Sequence, residues 1–237
     1  MSISVRNIVK TYGQQRAVND ISFEIPSGEI VGFIGPNGAG KSTTMKIITG
    51  YLSDFEGKVL VNGKDVRTNP IEVKREIGYL PEHNPLYPEM YVREYLCFVA
   101  RMYGLGNQVE NAVNEIIERV GLTKEQHKKI SELSKGYRQR VGLASVLVHN
   151  PKVLILDEPT TGLDPNQLVE IRNLIEAEGK SKTVMLSTHI MQEVEAICDR
   201  VIIVNNGKIV ANDTAENVKQ NKSLEDVFHE LTQKPVE

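Results

Sequence analysis

Short apolar runs in the first part of the chain predict β-strands. Four of them stand close together: Ile3 to Ile8, Ile21 to Ile25, Ile30 to Ile34 and Lys58 to Val61. Apolar and polar residues alternate in the first two, which is typical of strands with one buried face. Asn62 and Gly63, a pair that favours tight turns, follow the fourth run. The chain therefore opens with β-structure.

Three further apolar runs follow Pro151 and have helical patterns between them. They are Val153 to Leu156, Thr183 to Leu186 and Val201 to Val204. Strands that alternate with helices usually pair in parallel, so these runs predict a parallel sheet.

The middle of the chain has the periodicity of amphipathic helices. Six apolar residues recur at helical spacing: Val109, Ala112, Val113, Ile116, Ile117 and Val120. They predict a helix closed by Gly121, and Val92 to Tyr103, which ends at Gly104, predicts another. We therefore expect one domain over residues 1–237. Its α/β core covers 1–83 and 149–212, with a helical subdomain at 84–148 and a helical extension at 213–237.

The C-terminal extension repeats this spacing at Leu224, Val227, Phe228 and Leu231. Ser223 and Asp226 resemble a capping box in front of it. We expect this helix to dock on the core, and the alternative is a helix that binds a partner.

One glycine-rich segment carries a strong chemical signal. It runs Gly35, Pro36, Asn37, Gly38, Ala39, Gly40, Lys41, Ser42 and Thr43. Its first eight residues match the phosphate-binding loop G-x-x-x-x-G-K-[ST], between a strand-like run and the helical Met45 to Ile48. In such a loop, backbone N–H groups bind phosphate oxygens, Lys41 adds a positive charge and Ser42 offers a hydroxyl to Mg²⁺.

A second signal is the strand Val153 to Leu156, which runs into Asp157 and Glu158. Many strands end in acidic turns, so this pattern alone leaves a structural role open. Next to a phosphate-binding loop, it indicates that Asp157 holds Mg²⁺ and that Glu158 polarises the attacking water.

Charge and composition exclude several classes of protein. The chain has 28 basic and 31 acidic residues, so a basic surface for nucleic acid is not expected. The cluster Arg138, Gln139 and Arg140 is expected to be the solvated start of a helix. Cys97 and Cys198 are too few and too far apart for a disulfide framework or a zinc site, and we expect them to be structural thiols. No apolar stretch reaches the roughly 18 residues of a membrane span, and the N-terminus has no signal-peptide pattern. Contact with a membrane is therefore expected through a partner.

Two further segments resemble motifs of the ATP-binding cassette (ABC) ATPases. Asp157 to Asp164 resembles their D-loop region, and Leu133 to Arg140 resembles their signature. The resemblance covers Val5 to about Ala211 and implies an α/β, RecA-like phosphate-loop core with an antiparallel β subdomain and a helical insertion. It implies that Tyr12 stacks on adenine and that His189 contacts the γ-phosphate. It also implies a head-to-tail dimer, in which Ser134, Lys135, Gly136 and Asp164 contribute to the nucleotide sites.

The chain departs from the family pattern at two places. Glu82 stands where the family has Gln, and an ionised carboxylate can bind Mg²⁺ but cannot donate a hydrogen bond. In the signature, Lys135 replaces a Gly and Tyr137 replaces a Gln. Lys135 would add positive charge near the γ-phosphate of the partner's site.

The resemblance supports two functions. The first is the ATP-hydrolysing subunit of a membrane exporter, most similar to gliding-motility subunits, on the cytoplasmic face of the membrane. Its partners would be an integral membrane permease, docked around Glu82 to Tyr95, and a second copy or a related subunit. The second is a soluble ABC ATPase that acts on ribosomes or chromosomes. The chain has one cassette and no long heptad region, which favours the exporter subunit.

Overall fold

The computed structural model describes residues 1–219 and 222–233. Its strands are β1 Ile3–Tyr12, β2 Gln15–Ile25, β3 Ile30–Ile34, β4 Glu56–Val61, β5 Lys64–Asp65, β6 Ile77–Leu80, β7 Val153–Asp157, β8 Thr183–Ser187, β9 Arg200–Asn205 and β10 Lys208–Thr214. Its helices are α1 Lys41–Ile48, α2 Pro70–Glu76, α3 Val92–Met102, α4 Val109–Arg119, α5 Lys135–Leu147, α6 Pro165–Gly179, α7 Met191–Ile197, α8 Ala215–Lys219 and α9 Leu224–Gln233.

The smaller sheet is antiparallel, with the strand order β2-β1-β4-β5. This confirms the expected antiparallel β subdomain. The predicted bounds of β1 and β2 were too short, because both strands continue into a hairpin in which Tyr12 pairs with Gln15. Most side chains of this hairpin are exposed, so the alternation of apolar residues stops before the strands do.

The larger sheet has the strand order β10-β9-β3-β8-β7-β6, and all its strands except β10 run parallel. This confirms the predicted parallel sheet. Every residue of β3, β7 and β8 is buried, because helices or the smaller sheet cover both faces. Such strands read as continuous apolar runs rather than as alternating ones.

Neighbouring residues of β7 belong to different hydrophobic cores. Val153 and Ile155 pack with the smaller sheet, α1 and α2. Leu154 and Leu156 pack in the cluster that includes α3, α4, α5 and α6. The same strand therefore stabilises both layers of the protein.

The amphipathic helices form as the periodicity predicts. Val109, Val113, Ile116 and Ile117 are buried along α4, and Gly121 follows it with a φ of +71°. Helix α3 ends one residue before the predicted Tyr103. Their buried faces are continuous with the core of the parallel sheet, and the proposed boundary of the helical subdomain at 84–148 stays a prediction.

The expectation that Arg138, Gln139 and Arg140 form a solvated helix start is wrong in part. They lie in the first two turns of α5, which begins at Lys135, but the Arg140 side chain is only 16% exposed. It donates to the carbonyl of Val120, after α4, at 2.8 Å and pairs with Glu170 of α6. Arg140 therefore joins three helices.

The C-terminal helix docks on the core, as predicted for the residues that are described. Leu224 is fully buried, and Val227, Phe228 and Leu231 pack against the main core. The Ser223 hydroxyl accepts from the Asp226 amide at 3.1 Å, but it also donates to the Asp226 carboxylate, so the pair is not a reciprocal capping box. Residues 220–221 and 234–237 of the expected extension lie outside the described residues.

Both cysteines are buried free thiols, as expected. In the described part of the chain, no helix is both long and apolar enough to cross a membrane.

His149 generates a prediction about stability and pH. Its ring stacks on Tyr103 at 3.6 Å, and its Nε2 lies 3.2 Å from the carbonyl of Ile77. Burial lowers the pKa of His149 from 6.5 to about 4, so the folded protein holds the neutral ring and the unfolded chain takes up its proton first. The resulting stability is complete above pH 6.5 and is lost as the pH falls toward 4, by at most about 3 kcal/mol.

Urea unfolding of the parent and of His149→Phe at pH 7.5 and 5 measures this contribution. Phenylalanine keeps a ring against Tyr103 but does not titrate, so the variant should lose less stability than the parent between the two pH values. Equal losses would contradict the assignment to His149.

Candidate functional site

Four parallel strands end at one edge of the larger sheet and bring the predicted residues together. The phosphate-binding loop follows β3, Glu82 follows β6, Asp157 ends β7 and His189 follows β8. Ligands of α/β sheets bind outside the carboxyl ends of such strands. An open cavity of about 730 Å³ lies there.

Most of the sequence-predicted residues line this cavity. The lining comprises Tyr12, Gln15, Ala17, Asn37, Gly38, Gly40, Lys41, Ser42, Thr43, Glu82, Asp157, Glu158, Thr161 and His189. Three members of the loop do not line it, namely Gly35, Pro36 and Ala39. Ala39 is buried, and the other two turn their carbonyls toward Lys41.

The Lys41 ammonium is held by the loop itself. Its Nζ donates to the carbonyl of Gly35 at 2.7 Å and to that of Pro36 at 3.2 Å. Burial lowers the pKa of Lys41, while the charges of Glu158, Asp157 and, last, Glu82 oppose that shift. A cation surrounded by carboxylates is well placed to bind a polyphosphate that also carries a metal ion.

Helix α1 begins at Lys41, so its free N–H groups point into the cavity. Gly40 stands at the N-cap with a φ of +103°, and an added Cβ would clash with the carbonyl of Ala17. Glycine is therefore required at this position by both the backbone angle and the space.

Asp157 is fixed by the neighbouring strand. It is 3% exposed, and the hydroxyl of Ser187 donates to its Oδ1 at 2.5 Å. The remaining carboxylate oxygen, the Ser42 hydroxyl and Glu82 are oxygen donors at the same cavity. No group of three or more His, Cys, Asp or Glu side chains in the described ranges forms a metal site by itself.

Glu158 makes direct contact with His189. Its Oε2 lies 2.7 Å from the His189 Nδ1 and accepts from the Thr161 hydroxyl at 2.9 Å. The Glu158 amide donates to the carbonyl of Ser187 at 3.0 Å, and its φ is +53°. A tight turn thus directs one carboxylate from β7 toward the residue that follows β8.

Comparison with known proteins decides the family. The family model described as ABC transporter matches residues 18–161. The chain belongs to this family. The linearmycin resistance ATP-binding protein LnrL of Bacillus subtilis is 38% identical over 90% of this chain and 69% of its own length. The lantibiotic transport ATP-binding protein SrtF of Streptococcus pyogenes is 36% identical over 92% of this chain and 94% of its own length.

A solved structure of the ATP-binding subunit of an ABC transporter has the same fold. It superposes with a TM-score of 0.88 at 30% identity and covers 98% of this chain and 99% of the other. The chain is thus an ABC transporter ATP-binding subunit with ATPase activity. The expected similarity to gliding-motility subunits stays a prediction.

The aromatic residue of this ABC subunit stands at the rim of the cavity. Tyr12 is 49% exposed, and the Lys10 ammonium lies 5.0 Å from the centre of its ring. Gln15, its cross-strand neighbour, and Ala17 also line the cavity, and sequence reasoning missed both. The segment that contains Gln15 and Ala17 has no alternation of apolar and polar residues, so the sequence did not predict a strand there. Thr161 was missed as a contact of Glu158, although it stands three residues after it.

The signature residues of this ABC subunit lie apart from the cavity. Ser134 caps α5, with its Oγ 3.4 Å from the Tyr137 amide. Gly136 is buried beside the Gln167 side chain of α6. Asp164 caps α6 by accepting from two backbone amides at 3.0 Å, as its position before Pro165 predicts. These residues and Lys135 do not line the site of their own chain, so their role in a partner's site stays a prediction.

The loop geometry predicts a difference between two glycine substitutions. Gly38 has a φ of +81° but open space around an added Cβ, whereas a Cβ at Gly40 meets the Ala17 backbone. Gly38→Ala should cost roughly 1–2 kcal/mol of stability through its backbone angle. Gly40→Ala should cost more and should also weaken nucleotide binding, because the start of α1 must shift. Thermal unfolding and nucleotide titration of both variants measure this, and equal effects would refute the steric argument.

Proposed function

We propose that this chain powers a membrane exporter by hydrolysing Mg²⁺-bound ATP at the cavity described above. The supporting observation is the convergence of Lys41, Asp157 and Glu158 at one edge of the parallel sheet. The cation binds phosphate, the first carboxylate holds the metal ion and the second activates water.

The phosphates bind the loop at 35–43. The free N–H groups at the start of α1 and the Lys41 ammonium supply donors and positive charge. When phosphate enters, it replaces the carbonyls of Gly35 and Pro36 as a partner of Lys41. Tyr12 stacks on the adenine from the hairpin at the cavity rim.

The residues present fit Mg²⁺. This ion prefers oxygen ligands and is usually held by one or two carboxylates together with substrate phosphates. Ser42, Asp157 and Glu82 offer a hydroxyl and two carboxylates at one cavity. Bound Mg²⁺ would neutralise charge that develops on the phosphates.

Glu158 and His189 act on the water and the γ-phosphate. Glu158 accepts hydrogen bonds through Oε2 and has Oε1 to polarise the attacking water. The Nδ1 of His189 contacts the Oε2 of the same carboxylate, and the His189 side chain is 65% exposed, so it can turn toward the γ-phosphate.

A head-to-tail dimer completes the site. Ser134, Lys135, Gly136 and Asp164 lie outside the cavity of their own chain, which supports a role in a partner's site. Lys135 has no carboxylate partner among the described residues and would bring positive charge to the partner's γ-phosphate.

The permease docks on the region from Glu82 to Tyr95 and its surroundings. Tyr87, Phe98 and Met102 are 52%, 38% and 71% exposed there, and Tyr87 contacts both Tyr95 and Phe98. Exposed apolar clusters of this kind mark interaction surfaces. In this proposal the helical subdomain at 84–148 connects the permease to the core at 1–83 and 149–212.

Export across the membrane is supported by the relatives. LnrL is named for linearmycin resistance and SrtF for lantibiotic transport. In this proposal the subunit works on the cytoplasmic face of the membrane, bound to its permease and not to nucleic acid.

Glu158→Gln tests the hydrolytic role. The amide keeps the shape of the side chain but removes the negative acceptor that polarises water, so hydrolysis should slow about 100- to 10,000-fold while ATP still binds. ATPase assays and nucleotide titration measure the two properties. Turnover within a few-fold of the parent would exclude Glu158 as the base.

Glu82 tests the metal assignment. Glu82→Gln should be tolerated because an amide oxygen can replace a carboxylate oxygen, whereas Glu82→Ala should raise the Mg²⁺ concentration needed for activity and for nucleotide binding. A change confined to transport in the assembled complex would instead place Glu82 at the permease. An unchanged Mg²⁺ dependence of both ATPase and binding in Glu82→Ala would remove it from the ligands.

A further inference from the structure

Glu193 of α7 carries a buried carboxyl that the proposed mechanism does not use. It is 3% exposed, and its Oε2 accepts from the hydroxyl of Thr160 at 2.8 Å and from that of Thr188 at 3.0 Å. Its Oε1 is buried without a hydrogen-bond partner. Burial raises the pKa of this carboxyl, which shows that the site is costly for its charge. A polar group kept at such a cost requires an explanation.

The two hydroxyls belong to the two loops that carry the reactive pair. Thr160 stands two residues after Glu158 in the loop between β7 and α6. Thr188 directly precedes His189 in the loop between β8 and α7. Both threonines are buried, at 2% and 1% exposure. A single carboxylate oxygen thus accepts one hydrogen bond from each loop.

Backbone contacts alone leave the loops free to separate beyond the strand ends. The bond from the Glu158 amide to the Ser187 carbonyl joins the first residue after β7 to the last residue of β8. Past this point, the amide of Ile190 donates to the Thr188 hydroxyl at 3.1 Å, a contact within one loop. The direct contact between Glu158 and His189 involves an imidazole that is largely exposed. Glu193 adds the buried link between the two loops.

We propose that Glu193 is a positioning residue for ATP hydrolysis, which holds the loops of Glu158 and His189 at a fixed separation through Thr160 and Thr188. It lines no part of the cavity and acts only through the two threonines. The inference rests on the proposed roles of Glu158 and His189.

Substitution of Glu193 separates positioning from substrate binding. Glu193→Ala leaves two buried hydroxyls without an acceptor, so the loops shift to satisfy them. Displacements of about 1 Å in a catalytic group cost on the order of 100-fold, so kcat should fall about 10- to 100-fold. KM for ATP should stay within about twofold of the parent value. The phosphate-binding loop follows β3 and is not part of the two loops that Glu193 joins. Glu193→Gln should restore most of kcat, since one amide oxygen can accept from both threonines.

Glu178→Ala is the matched control. Glu178 is another buried carboxyl, 6% exposed, and it pairs with Arg119 and Lys182 outside the cavity. Its loss should lower stability without lowering kcat at a temperature where the variant is folded. If Glu193→Ala does not fold, Thr160→Val and Thr188→Val each remove one donor and should lower kcat in the same way.

Glu158→Gln is measured beside these variants. If it loses hydrolysis while Glu193→Ala, or both threonine variants, keep the parent kcat, the positioning role is overturned. The same holds if Glu178→Ala loses as much kcat as Glu193→Ala, or if Glu193→Gln fails to restore it. If Glu158→Gln keeps full activity, the proposed function fails instead, and the role of Glu193 fails with it.

Discussion

The backbone pairing of β7 with β8 is the constraint on which the rest of the site depends. Its hydrogen bonds bring Asp157 opposite Ser187, and the next amide, that of Glu158, donates to the Ser187 carbonyl. This register decides which residues leave the sheet side by side. A shift of one residue would turn Asp157 away from the cavity and separate Glu158 from the loop of His189. The buried valines, leucines and isoleucines of these strands therefore stabilise a chemical arrangement as well as a core.

Parallel pairing brings distant segments of the sequence to one edge. The loop after β3, Glu82 after β6 and His189 after β8 meet there although they are far apart along the chain. Opposite charges then face one another across the cavity. Burial lowers the pKa of the Lys41 ammonium, and the charges of three carboxylates oppose that shift without cancelling it.

Local patterns in the sequence were enough for part of this arrangement. The glycine spacing around Lys41 and the apolar run that ends at Asp157 are each formed by neighbouring residues. The sequence therefore predicts both the chemical role of these residues and their place at the end of a strand. Gln15 and Ala17 could not be predicted, because the pairing of β1 with β2 rather than an apolar pattern makes them strand residues. The role of Glu193 could not be predicted from the sequence either. A charged residue in a short helix is expected to face solvent, and only the fold places this one beside Thr160 and Thr188. Arg140 is a second charged residue that the fold largely buries, here against α4 and α6.

The three-helix junction at Arg140 has a mechanical consequence. One guanidinium holds the end of α4, its own helix α5 and α6, and α6 begins only a few residues after Glu158. A rotation of α4 and α5 relative to the sheet would therefore act on α6 through the ion pair of Arg140 with Glu170. The junction thus couples the helices that pack with α3 to the helix that follows the loop of Glu158.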